Sequence, residues 1–318
     1  MADASSASRA RRTGRRTRGS QVAQDSQVTQ GSQGTKSGRR AVPAPPSADP
    51  DMPDVPAAPA APTSATGSTS DGAVGRPAAE SDEAASLHLL TSGELDVQGR
   101  LVDASNATMY CTIRADGVEA ACVYKPVAGE RPLWDFPDGT LAGRELAAYL
   151  MSRAGGWDVV PPTVYRDGPF GPGMCQLWVD ADSSVDLVEL ARSGDDARLR
   201  QMSVFDAVVN NADRKIGHLL PMASGQLYGC DHGVCFGAEY KLRTVLWQWR
   251  GKSLTPAAIA ALRRSHELLT RGSLGNELRT WLTPVEVAAT VRRIERLLTL
   301  KTHPYPPADW PAVPWPPI

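Results

Sequence analysis

Four residues invite a chemical reading: Lys125, Glu145, Asp213 and Asp231. Asp213 stands in N-N-A-D-R-K-I-G-H, residues 210–218, directly after an apolar helical run, and Asp231 stands in C-D-H-G a short hairpin later. Singly, each acid reads as a surface turn, because Asp, Asn and Gly are common turn formers. Lys125 alone is an ordinary strand-edge lysine, and Glu145 alone an ordinary helix-surface charge. Together they meet the needs of phosphoryl transfer: a Lys for the phosphates, an acid to hold that Lys, a carboxylate to position or deprotonate the nucleophile, and oxygen ligands for Mg²⁺.

Periodicity and turn chemistry predict the elements that would position these groups. Between Glu94 and Ile113, E-L-D-V-Q-G-R-L-V and T-M-Y-C-T-I predict two strands around the turn Asp103–Ala107. A third strand, Ala120 to Tyr124, ends in Lys125-Pro126. A loop rich in Pro, Trp and Gly then leads to T-L-A-G-R-E-L-A-A-Y-L-M-S-R, a helix that Thr140 caps and Gly155 ends, with Glu145 inside it. Thr163–Tyr165 and Met174–Val179 read as further short strands. The rest is helical apart from a short strand pair between the two acids. Leu199, Met202, Phe205 and Val209 recur at helical spacing down to Asn211, and Thr255-Pro256 and Thr283-Pro284 open two capped helices. A β-rich half followed by an α-rich half predicts an α+β fold of two lobes, with Asp213 and Asp231 on the floor of the cleft and Lys125 reaching it from the opposite lobe.

Composition sets the frame. The chain has 318 residues, 42% hydrophobic and 22% charged, with a formal net charge of −1. That suits a globular protein and argues against one built mainly to neutralise nucleic-acid phosphates. No apolar run reaches the roughly twenty residues of a membrane span. The N-terminal arginines, among them Arg11, Arg12, Arg15 and Arg16, lead into Gln and Ser rather than an apolar signal core, so a cytoplasmic location is expected. Five cysteines without a C-x-x-C pair suggest neither a disulfide framework nor a zinc site. Residues 1–85 are Ser, Gln, Ala, Pro and Gly with few large apolar side chains, and are expected to be a disordered arm. Within it, residues 1–40 carry nine Arg or Lys against two Asp. That basic stretch reads as a solvated tail or as a weak polyanion tether.

In the order of its motifs the chain resembles the phosphatidylinositol 3- and 4-kinase-like branch of the protein-kinase-like fold, including its small bacterial members and the HipA-type Ser/Thr kinases. The resemblance covers about residues 94–300. It rests on Lys125 in A-C-V-Y-K-P, Glu145 in G-R-E-L-A-A-Y-L, the D-R-x-x-x-N-like run from Asp213 to His218, and D-H-G at 231–233 in place of D-F-G. The stretch K-P-V-A-G-E-R-P-L-W-D-F-P-D-G-T-L looks like an actinobacterial group of such proteins. The resemblance implies a kinase-like domain over 86–304, with an N-lobe at 86–174, a hinge at 175–182 and a C-lobe at 183–304. It implies ATP with Mg²⁺ or Mn²⁺, and an unknown acceptor. Lys125 would contact the α and β phosphates and Glu145 would orient it. Asp213 would act on the acceptor with Arg214 as its electrostatic support, and Asp231 would ligate the metal. Ser105 and Asn106 lie where the family's phosphate-covering loop lies, and Gln176 to Val179 match the hinge that adenine would touch.

Two departures stand out. His218 takes the place of the family's Asn metal ligand, and the covering loop lacks a Gly-rich run. An imidazole in that place suggests a preference for Mn²⁺. Both departures keep a nucleotide-binding pseudokinase that regulates a partner as the alternative to an active phosphotransferase. Trp247 and Trp249 would share one face if V-L-W-Q-W is a strand. The tail, 305–318, reads as an extended Pro-rich segment that packs Trp310 and Trp315 on the body or recruits a partner.

Overall fold

The computed structural model describes residues 54–55, 76–102, 104 and 106–318. The basic stretch of residues 1–40 and Ser105 lie outside the described residues. The elements in chain order are β1 (Asp54–Val55), α1 (Arg76–Ser92), β2 (Glu94–Leu101), β3 (Met109–Ala115), β4 (Val118–Pro126), α2 (Leu141–Gly155), β5 (Thr163–Gly168) and β6 (Gly171–Leu177). They continue with α3 (Leu187–Arg192), α4 (Ala197–Val209), β7 (Leu219–Pro221), β8 (Leu227–Gly229), α5 (Pro256–Thr270), α6 (Leu274–Leu278) and α7 (Pro284–Leu300). The fold is mixed α+β. One sheet has the order β1-β2-β3-β4-β6-β5, antiparallel except for β1 beside β2, and β7 pairs with β8 in a separate hairpin.

Strand alternation decides which way Lys125 points. Successive side chains of a strand face opposite sides. Met109, Cys111 and Ile113 of β3 and Cys122 and Tyr124 of β4 are buried with Leu89 and Leu90 of α1 in one apolar cluster. Lys125 follows Tyr124 and therefore faces the other side of the sheet, beside its cross-strand partner Met174. A second, larger cluster joins α2 to the helical half through residues such as Trp157, Phe205, Leu262 and Ile294. Among the described residues no helix is long and apolar enough to cross a membrane.

Three expectations need correction here. The first is that α1 starts at Arg76, inside the segment expected to lack structure. R-P-A-A-E-S-D-E-A-A is rich in Ala and Glu, strong helix formers, and buried Leu89 and Leu90 anchor its far end. Glu83 of this helix accepts a hydrogen bond from Tyr149 Oη at 2.6 Å. The second is that Trp247 and Trp249 lie outside any strand: their indoles donate separately, to Ala312 O at 2.8 Å and Gly194 O at 3.0 Å. The third concerns Thr140, which does not cap α2 with its side chain. The carboxylate of Glu130 takes that place, accepting from the N–H groups of Ala142 and Leu141 at 2.7 and 3.1 Å. Thr255 and Thr283 do cap α5 and α7, the latter in a reciprocal box with Glu286.

Candidate active site

Lys125, Glu145, Asp213, His218 and Asp231 all line a single cleft of about 590 Å³, within the usual range for small-molecule sites. The Lys125 ammonium donates to Glu145 Oε1 at 2.8 Å and forms a short ion pair with Asp231 Oδ1. Burial opposes a charge on this lysine, but the two carboxylates outweigh it and hold its pKa above the ordinary value. In return Lys125 keeps Asp231 well below the usual carboxylate range despite its partial burial. Glu145 is itself fixed, because its second oxygen accepts the His232 N–H at 2.8 Å. Asp231 has φ of 56°, a left-handed backbone that Asp tolerates better than most residues, and the next residue turns back into the core.

Asp213 lines the same cleft. Its N–H is held by Asn211 Oδ1 at 2.9 Å and its carboxylate lies 3.4 Å from Lys215 Nζ. Burial raises its pKa, with Lys215 acting in the other direction. His218 Nε2 lies 3.3 Å from Asp231 Oδ2. Burial brings the pKa of His218 down to about 4, so the ring is neutral at pH 7. A carboxylate only accepts, so in a neutral ring Nε2 carries the hydrogen and donates to Asp231.

Other expected site residues go elsewhere. Arg214 does not support Asp213 at the cleft. Its guanidinium is fully buried and grips Asp206, with Nη2 to Oδ1 at 3.0 Å and Nε to Oδ2 at 3.1 Å, and it donates to Cys230 O at 2.9 Å and His232 Nε2 at 2.7 Å. Gln176 is buried and donates to Thr163 Oγ1 at 2.9 Å, and neither it nor Val179 lines the cleft. Asn106 does line it, and its Oδ1 accepts the Arg131 N–H at 2.9 Å.

Several groups at the site carried no signal in the sequence. Arg144 of α2, buried, ties that helix to Glu286 at 2.7 Å and to Cys235 O at 2.9 Å. Lys241 forms a short ion pair with Asp135 and lies 5.1 Å from the Trp134 ring centroid and 3.9 Å from that of Trp310, which stack on each other. Trp310 belongs to the Pro-rich tail, which packs on the body: Ile216 N–H donates to Pro317 O at 2.9 Å and Thr244 N–H to Ala312 O at 3.1 Å. Trp315 stays 85% exposed.

The donor set bears on a metal. Among the described residues no three His, Cys, Asp or Glu side chains form an ion-binding group. Asp231, with His218 beside it, suits an ion that arrives with phosphate oxygens supplying the remaining ligands, which is how Mg²⁺ is usually held.

No protein-family model matches the chain. A solved structure, that of a Helicobacter pylori proinflammatory kinase CtkA, aligns with 67% of this chain and 94% of its own at 13% identity and a TM-score of 0.38. A curated Mycobacterium tuberculosis protein, Rv2133c, is 45% identical over 262 residues, which are 72% of this chain and 94% of that protein. The chain therefore belongs to the family of protein Rv2133c.

Proposed function

We propose that the chain is an ATP- and metal-dependent phosphotransferase of the kinase-like fold, resembling phosphatidylinositol 3- and 4-kinases, whose acceptor is an alcohol on a protein or a small soluble molecule. The observation that carries this reading is the convergence of Lys125, Glu145 and Asp231 with Asp213 across one cleft.

To serve a nucleotide, Lys125 keeps Glu145 and yields Asp231. The ammonium would then face the phosphates, and Asp231 would be the residue that holds the ion. A bound divalent ion would neutralise phosphate charge that develops during transfer. Asp213, whose proton affinity is raised by burial, is placed to orient the acceptor hydroxyl and take its proton as oxygen bonds to phosphorus and ADP departs. Arg214 acts at one remove, fixing the loop that presents Asp213.

The test is purified protein with γ-labelled ATP and Mg²⁺ or Mn²⁺, followed as hydrolysis and autophosphorylation. Turnover in the parent that is lost in Asp213→Ala, with nucleotide binding retained, supports the reading. A parent that binds nucleotide but transfers nothing supports the pseudokinase reading, which the His218 substitution favours. A parent that binds no nucleotide refutes both.

A further inference from the structure

Within the phosphotransferase reading, on which this inference rests, we propose that the acceptor is a small alcohol carrying a phosphate or carboxylate, and that Arg243 and Arg131 bind that anion.

Among the described residues, five cationic and five acidic side chains line the cleft. Lys125 is held by Glu145 and Asp231, Lys215 by Asp213, and Lys241 by Asp135. Glu130 is spent on the first N–H groups of α2. Each of these five carboxylates is thereby engaged, and two of the five cations, both guanidinium groups, remain. Among the described residues neither Arg131 nor Arg243 has a carboxylate within ion-pair reach.

The second observation is an orphan donor. Arg243 Nε is buried and, among the described residues, has no hydrogen-bond partner. Buried donors are nearly always satisfied, because an unmade bond leaves the cost of desolvation uncompensated. A guanidinium is a planar fork that matches carboxylate and phosphate oxygens in pairs. Arg243 lines the cleft, and an oxyanion that reached this nitrogen from there would complete it.

Position assigns this anion to the acceptor rather than to the nucleotide. Arg243 N–H donates to Asn211 O at 2.9 Å, and Arg243 O accepts from Arg214 N–H at 3.1 Å. The arginine is thus laced to the loop that presents Asp213, whereas the nucleotide-facing cation, Lys125, comes from β4. Arg131, exposed on the loop after β4, offers a second fork at the mouth.

The test titrates the full chain, as parent, Arg243→Gln and Arg131→Gln, with glycerol 3-phosphate, D-glycerate and uncharged glycerol, and separately with Mg-ATP, reading thermal shift and calorimetric affinity. Glycerol 3-phosphate or glycerate should stabilise the parent while glycerol does not, and the tighter of the two names the anion. Arg243→Gln should weaken that anion at least tenfold and Arg131→Gln several-fold, with Mg-ATP affinity within threefold of the parent. If Arg243→Gln does not fold, the exposed Arg131→Gln carries the comparison. A parent indifferent to both anions, or variants that bind them like the parent, overturns the proposal. An Arg243→Gln protein that loses Mg-ATP in step with the anions overturns it too, since the arginine would then serve the nucleotide. A parent that binds the anions but not Mg-ATP sinks the phosphotransferase reading and leaves the anion site standing, so the two failures are separable.

Discussion

Two ion clusters meet at consecutive residues, Asp231 and His232, and they have opposite characters. Asp231 pairs with Lys125, which also holds Glu145, and His232 meets Arg214, which grips Asp206. The second cluster is closed. Arg214 and Asp206 are 0% exposed, and all the guanidinium nitrogens are engaged. Even the backbone conforms, because a Cβ on Gly229 would fall 2.9 Å from Arg214 Nη1. The first cluster is open: Asp231 is 49% exposed and Lys125 17%. Similar chemistry thus yields a closed fastener in one place and an accessible cluster in the other, and what separates them is access to a cleft.

The comparison breaks most visibly at Asp206. Asp206→Ala leaves the Arg214 charge buried and unpaired, and should cost about 3–5 kcal/mol in urea unfolding. A loss below about 1 kcal/mol would mean that the closed cluster fastens nothing.

Acid should act next, through groups held neutral by burial. The pKa of His232 is pushed well below 6.5, by burial and then by Arg214, and those of His218 and His303 fall to about 4. The unfolded chain therefore binds protons first as pH falls below about 6.5. Stability is fully present above that value and declines towards pH 4, by on the order of 2 kcal/mol each for His218 and His303 by pH 4.5, with His232 acting in the same direction. Asp213 and Glu130, raised by burial, act in the opposite sense and soften the decline. Chemical denaturation at pH 7.5, 6 and 5 checks this, and unchanged stability across that range would contradict it.

His218 sharpens the comparison at its smallest scale. As a donor to Asp231 through Nε2, it orients the carboxylate, and Nε2 would ligate a metal beside Asp231 only after its proton moves to Nδ1. His218→Asn should then alter the ratio of Mn²⁺ to Mg²⁺ in supporting ATP affinity by less than about threefold. A fall of tenfold or more, on the order of 1.4 kcal/mol, would make the imidazole a direct ligand, as its place in the family pattern implies.

Much of the open cluster was legible in the sequence, because its members punctuate elements: a lysine closing a strand, a glutamate inside the next helix, and acids in turns after a helix and a hairpin. The closed cluster was not. The motif D-R at 213–214 says nothing about which side chain turns inward, and that direction is set by Asp206, one helical turn before the end of α4. Arg243 and Lys241 had no motif at all, and Glu130 is tied to α2 only by the path of an irregular loop. Gln176 has the expected strand position, but its amide is consumed by Thr163, a cross-strand neighbour that no local pattern pairs with it. The start of α1 was hidden because a small-residue, charge-rich segment looks alike whether it is unstructured or a helix anchored at one end.

The central claim is that the open cluster is a nucleotide and metal site, and calorimetric titration with Mg-ATP tests it most directly. Asp231→Asn suits this comparison, because Asn also tolerates the left-handed backbone and the half-exposed ion pair contributes less than about 1 kcal/mol to stability. The parent should bind Mg-ATP and Asp231→Asn should bind it at least tenfold more weakly while unfolding at nearly the same temperature. A parent without measurable affinity, or a variant that binds Mg-ATP as tightly as the parent, would contradict the account.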